Sequence, residues 1–211
     1  MERFLRMQEG SQFFVYFLTL LRGLAAILWF GAGLLPADAK AYEPKLDHLI
    51  VTNNQEHIIL FSQLKDAFTD EFLEAFSKGL PFEFVYEISL YRERQFWPDK
   101  HLHSTTLIHK GKFDMLKEEF DFIAVYNGKE VKKTTSNKIE IQRWMSNLNG
   151  VEIFPLNLVT GLKRRYFLEV RALISSPRNL SSENILFFFQ ESGPHQTDWR
   201  RSPLFSAGGQ R

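Results

Sequence analysis

The stretch that most constrains the fold is Phe82–Leu90, where Phe82, Phe84, Tyr86, Ile88 and Leu90 alternate with Glu83, Val85, Glu87 and Ser89. An apolar period of two fits a strand with one face on a core; a helix would repeat at three and four. Related patterns appear at Leu46–Thr52, His57–Gln63, His103–Phe113, Glu119–Tyr126, Glu130–Thr135, Val151–Leu156 and Tyr166–Ile174. Asn53-Asn54 and Asn127-Gly128 stand between successive runs, and both pairs accept the left-handed backbone of a tight hairpin. Val151–Leu156 and Tyr166–Ile174 are expected to pair across the loop that holds Gly161. Many short strands with turn signals between them, and few helices, predict a mainly β chain: an antiparallel β-sandwich.

Two short helices interrupt the strands. Thr69 caps the first, with Asp70 and Glu71 in its opening turn, Lys78 near its end and Gly79 beyond it. Phe68 and Leu73 have the spacing of a hydrophobic staple. The second is expected from Asn137 to Asn149, with Ile141, Trp144, Met145 and Leu148 on one face and Gly150 as its stop. Each apolar stripe predicts that its helix covers a sheet edge or an open end.

The front of the chain is of another kind. Arg3, Arg6 and Arg22 precede the apolar run Gly23–Leu35, which is followed by Pro36 and Ala37-Asp38-Ala39-Lys40-Ala41. A basic start, a short apolar middle and an A-x-A end make a secretory signal peptide, cut after Ala39 or, preferably, after Ala41. The alternative is a retained anchor over residues 13–35, the one route to membrane contact. A span needs about 20 apolar residues, which here places Arg22 at the centre at a cost of about 2.5–3.5 kcal/mol. The expected organisation is therefore a leader over 1–41, one β-sandwich domain over 42–205, and a frayed tail over 206–211. The chain has no cysteine, so neither disulfides nor a lipidated cysteine can hold the exported part, and a bacterial periplasmic location follows.

Beyond the leader, basic and acidic residues balance, which argues against nucleic acid as a partner. Lys163-Arg164-Arg165 and Arg200-Arg201 read as solvated turns. Most of the 21 phenylalanines lie in the exported part, a large aromatic payload that suits a sheet core.

The run Glu74-Ala75-Phe76-Ser77-Lys78-Gly79-Leu80-Pro81-Phe82-Glu83-Phe84, a helix end passing into a strand, leads on to Arg92, Arg94 and Trp97. This order resembles the bacterial exported family called domain of unknown function 4390. The likeness spans about Leu46 to Ile174, and Phe187-Phe188-Phe189 to Trp199 is a candidate extension. The resemblance implies a small envelope protein, and it carries over no catalytic residues and no cofactor.

Arg92 and Arg94 fall where the alternation expects core, beside Phe96 and Trp97. A strand end leaving the core, with arginine stems packed on aromatic rings, has the composition of a protein interface. The segment is the candidate contact for another envelope protein, with arginines paired to acidic neighbours as the structural alternative. Asp99, His101 and His103 would share one side of a strand and could hold zinc or copper; a solvated strand face is the bland reading. His109 shares the parity of His103, and His48 and His57 could face each other across the first hairpin. Glu83 and Glu87 are the carboxylates to consider for acid–base chemistry, but charged outward faces are ordinary in sandwiches. There is no G-x-S-x-G, S-x-x-K or glycine-rich phosphate loop. Asn184–Phe189 is continuously apolar and reads as core, or else as an accessory aromatic surface. The expected function is non-enzymatic binding, with carriage of an apolar ligand or lipid as the alternative and metal binding or hydrolysis behind it.

Overall fold

The computed structural model describes residues 43–161, 164–175 and 195–207, all within the unit Tyr42–Arg211. The expectations on the leader with Ala37, Ala39 and Ala41, on Lys163, on Asn184–Phe189 and on the tail beyond residue 207 lie outside the described residues. Among those described, no helix is long and apolar enough to cross a membrane.

The strands are β1 (Lys45–Asn53), β2 (His57–Lys65), β3 (Phe82–Arg92), β4 (Lys100–Asp114), β5 (Glu119–Tyr126), β6 (Lys129–Thr135), β7 (Asn147–Pro155), β8 (Tyr166–Ser175), β9 (His195–Gln196) and β10 (Arg200–Arg201). Helix α1 (Asp70–Ser77) joins β2 to β3, and α2 (Lys138–Ser146) joins β6 to β7. A small sheet runs β1-β2-β7 and a large one β10-β8-β3-β4-β5-β6, with β9 also on β8. The chain is thus mostly antiparallel β with two helices and open sheets, as the alternation predicts.

The alternating strand lies at the centre. Phe82, Phe84, Tyr86, Ile88 and Leu90 of β3 are buried and share one core with Leu46, Val51, Ile58, Leu60 and Leu64 of the small sheet. On the outer face, Glu83 meets Lys110 at 3.0 Å and Glu87 meets Arg171 at 2.6 Å across adjacent strands. These pairs satisfy the polar half of the pattern.

Both turn signals mark hairpins. Asn127 (φ 47°) and Gly128 (φ 72°) take the left-handed backbone of a type I′ turn between β5 and β6. Between β1 and β2 the left-handed residue is Gln55 (φ 73°), not an asparagine. Asn54 works through its side chain, whose Oδ1 accepts from the amides of His57 at 2.8 Å and Glu56 at 3.3 Å.

Helix α1 begins where its cap predicts: Thr69 Oγ1 accepts from the Phe72 amide at 3.1 Å. It closes with a Schellman motif, in which Leu80 N–H reaches the Ala75 carbonyl and Gly79 (φ 82°) reaches that of Phe76. Phe68 rests its ring against Phe72 and Phe84, at 5.2 and 5.4 Å between centroids.

Two expectations are corrected. Helix α2 ends at Ser146, not Asn149, because Asn147 and Leu148 are already extended and pair with Gln63 and Ser62 of β2. Gly150 (φ 71°) is the extra residue of a bulge in β7, between Asn149 and Val151, rather than a helix stop. Nor do Val151–Leu156 and Tyr166–Ile174 pair: β7 adds to β2 in the small sheet, whereas β8 fills the open edge of β3. The connection through Gly161 crosses between sheets. Phe205 is buried and exchanges backbone hydrogen bonds with Tyr166 at 2.9 Å.

Candidate binding surfaces

The tip joining β3 to β4 is built from the Glu93–Asp99 loop. Its base is tied on both sides. Glu93 donates its amide to the Arg165 carbonyl at 2.9 Å and pairs its carboxylate with the Arg165 guanidinium at 2.5 Å. Asp99 accepts from the Arg94 amide at 3.1 Å and meets Arg201 at 3.4 Å. Between these ties the chain projects Phe96, 92% exposed, and Trp97, 73% exposed. Phe96 has φ 70°, a left-handed backbone that a bulky residue seldom adopts. Arg92 is half-buried at the end of β3, opposite Lys100 and Tyr166, and Arg94 is exposed. Neither guanidinium lies over Phe96 or Trp97. The cation–ring contacts among the described residues are elsewhere: Arg171 over Trp199 at 4.6 Å, Arg201 over Phe167 at 3.8 Å and Lys133 over Trp144 at 5.2 Å. With both loop carboxylates occupied, Arg92, Arg94 and Lys100 have no ionic partner among the described residues.

Asp99, His101 and His103 are not brought together. The β3–β4 register slips between Leu90 and Tyr91, where Leu90 faces His103 but Tyr91 faces His101. That bulge reverses the parity on which a shared face depends. His101 lies on the outer face, with Nε2 2.7 Å from Ser104 Oγ and its ring 5.2 Å from that of Tyr91. His103 lies on the inner face with its ring edge against Phe154. Asp99 is engaged by Arg94 and Arg201. Among the described residues, no three His, Cys, Asp or Glu side chains gather as a metal-ligand set. His48 sits in the β1 bulge between Asp47 and Ile50, while His57 pairs with Pro155 of β7, so the two do not face each other.

A second surface has no counterpart among the sequence candidates. Among the described residues the three-stranded sheet covers the inner face of β5 and β6 only in part, and a groove of about 480 Å³ runs there, beside β7. Its floor holds Leu107 and His109 of β4 with Phe122 and Ala124 of β5. Lys133 of β6 stands at one side and Arg143 and Trp144 of α2 at one end. Asn127 reaches across from the β5–β6 turn, its Nδ2 donating to the Glu152 carbonyl at 3.2 Å.

His109 is nearly sealed within the floor. Its Nδ1 lies 2.9 Å from the Met145 carbonyl in the last turn of α2, which also accepts from Tyr86 Oη at 2.8 Å. A carbonyl only accepts, so Nδ1 carries the proton. Burial lowers the imidazole pKa to about 4, outweighing the Met145 bond that raises it, and Lys133 lowers it further. The only sequence sign of this site is a histidine at a core-facing position of the run Leu107, His109, Gly111.

Residues 41–201 match the family model described as a domain of unknown function (DUF4390). No curated protein matches the chain. No solved structure matches it either.

Proposed function

Since the chain belongs to the DUF4390 family, whose description names no activity, we propose that it is an exported cell-envelope module that binds rather than catalyses, and that the β3–β4 tip contacts another envelope protein. The observation that carries this reading is the exposure of Phe96 and Trp97 side by side on a loop whose base is tied down. Large apolar rings cost free energy in water, about 25 cal/mol per Å² of apolar surface, and a partner removes that cost. Arginine beside such rings matches the composition of interface hot spots. The left-handed Phe96 adds support, because strained backbone gathers at functional sites.

Export rests on the basic, apolar and small-residue order of residues 1–41, and the family match begins at residue 41, so that leader stands apart from the shared domain. A binding role fits the pairing of Glu83 and Glu87 with Lys110 and Arg171, the cross-strand ion pairs of an ordinary outer sheet face. Carriage of an apolar ligand is the weaker reading, because the groove beside β7 is rimmed by charge.

The test places a photo-activated benzophenone amino acid at position 96 or 97 of the full chain in living cells. The expected result is a discrete protein adduct from the envelope fraction, absent when the same group replaces exposed Thr134. Adducts to lipid alone, or the same adducts from position 134, would reject the tip as a protein contact. Recovery of the chain with its start methionine in the cytosolic fraction would reject export.

A further inference from the structure

We propose that the groove between β5–β6 and β7 is a binding site for a small organic anion with a flat apolar body, its charge held by Lys133 and Arg143 and its ring system laid against Phe122 and Trp144. Charge complementarity comes first. Lys133 and Arg143 both line the groove, and among the described residues neither has an ionic partner and no carboxylate is part of the lining. The nearby acids are occupied elsewhere: Glu140 accepts from Thr135 Oγ1 at 2.7 Å, Glu130 pairs with Lys132 at 3.6 Å, and Glu152 accepts from Asn54 at 2.9 Å. Two cations without counter-charge in a partly walled site favour an anion, and guanidinium is the group best shaped for a carboxylate, sulfonate or phosphate.

The aromatic walls set the rest of the ligand. The Phe122 and Trp144 rings are 5.8 Å apart and tilted by 51°, and the His109 ring meets Phe122 edge-on at 5.1 Å. Lys133 is drawn over the Trp144 ring, which holds its ammonium near the rings instead of trailing into water. An aryl group can lie against these faces while its acid group reaches the rim. The groove volume, about 480 Å³, is of the size that takes such molecules. A long alkyl chain fits less well, because Asn147, Asn149 and the two cations make much of the lining polar.

The floor adds one specific feature. His109 Nδ1 is committed to Met145, which leaves Nε2 as an acceptor. His109 is one of the residues that line the groove, so Nε2 is the ring nitrogen left to meet a ligand there. A hydroxyl on the ligand's ring would donate to it.

Titration calorimetry on the full chain, with 2-naphthoate, uncharged 2-naphthol and cationic 2-naphthylmethylammonium as probes, tests the site. Naphthoate is expected to bind at least about 10-fold more tightly than either of the others, a hydrogen-bonded charge being worth that much or more. A hydroxyl at position 6 of naphthoate should add about 3- to 10-fold. Lys133→Met with Arg143→Met should abolish the preference for the anion while leaving 2-naphthol unchanged. Both positions are exposed, so this variant keeps its fold. Lys112→Met with Arg164→Met, both exposed and outside the groove lining, should leave naphthoate binding unchanged. Equal binding of all three probes, no binding of naphthoate, or an anion preference that survives the Lys133/Arg143 change would each overturn the proposal.

Discussion

At the scale of single residues, His109 links the sheet to α2 and makes stability depend on pH. It and Tyr86 donate to the same Met145 carbonyl, one of the acceptors that a helix end leaves without an intrahelical partner. Burial holds the imidazole neutral in the folded chain down to about pH 4, whereas the unfolded chain takes up a proton near 6.5. Between those values the unfolded state binds the extra proton, so acidification favours unfolding. The contribution is fully present above pH 6.5 and is lost as pH falls towards 4, for a total of about 3 kcal/mol. His195, partly buried and likewise lowered, adds a smaller loss of the same sign, while the lowered carboxyl groups of Asp47, Glu74 and Asp114 act only at the acid end of this window and below it. Urea unfolding at pH 7 and pH 4.5 should show the loss in the parent protein and little of it in His109→Gln, whose amide can still donate to Met145. Equal losses in both proteins would show that His109 is not the titrating group.

At the scale of elements, the helices meet the large sheet over Gly111 of β4. A Cβ there would lie 2.9 Å from Met145 Sδ on α2 and 3.0 Å from Phe76 Cζ on α1. Both side chains are buried, at 0% and 1% exposure, so one of them must shift within the core to admit it. Gly111→Ala is therefore expected to cost about 1–3 kcal/mol, read as a lower unfolding midpoint. A parent-like midpoint would mean that the helix contacts yield more easily than the packing implies. Gly111 is inconspicuous in the sequence, and the contrast with what is conspicuous there is physical. The β3 alternation, the Thr69 cap and the Asn127-Gly128 turn are decided by neighbours a few residues away, so their residue types announce them. The end of α2 is decided by β2, distant in sequence, whose edge takes Asn147 and Leu148 as strand partners. The separation of His101 from His103 follows from a one-residue bulge that has no compositional mark. The tip aromatics could be found because charge broke a pattern, whereas the groove could not, since it lies where two sheets of unequal size fail to overlap.

At the scale of the whole molecule, the sheets differ in how their edges are closed. β3 is paired along its length by β4 and β8, while β6 and β7 have no further strand partner among the described residues and flank the groove. Lys129, Lys132 and Lys133 along β6 discourage a further strand from adding there. The β5–β6 turn is joined to β7 by Asn127, whose Nδ2 lies 3.2 and 3.4 Å from the Glu152 and Ile153 carbonyls. Asn127→Gly separates this tie from the turn, because glycine accepts the φ of 47° at least as readily and lacks only the amide. The β5–β6 hairpin should then keep its register but loosen against β7, at a global cost of about 1 kcal/mol. Hydrogen exchange should quicken in β6 and in the Glu152–Ile153 segment and stay unchanged in β3, whose backbone bonds are buried on both edges. Uniform quickening would mean that the turn itself had failed. Unchanged exchange in β6 would mean that the amide holds nothing, and that the hairpin keeps its place over the groove through the packing of Phe122 and Trp144 alone.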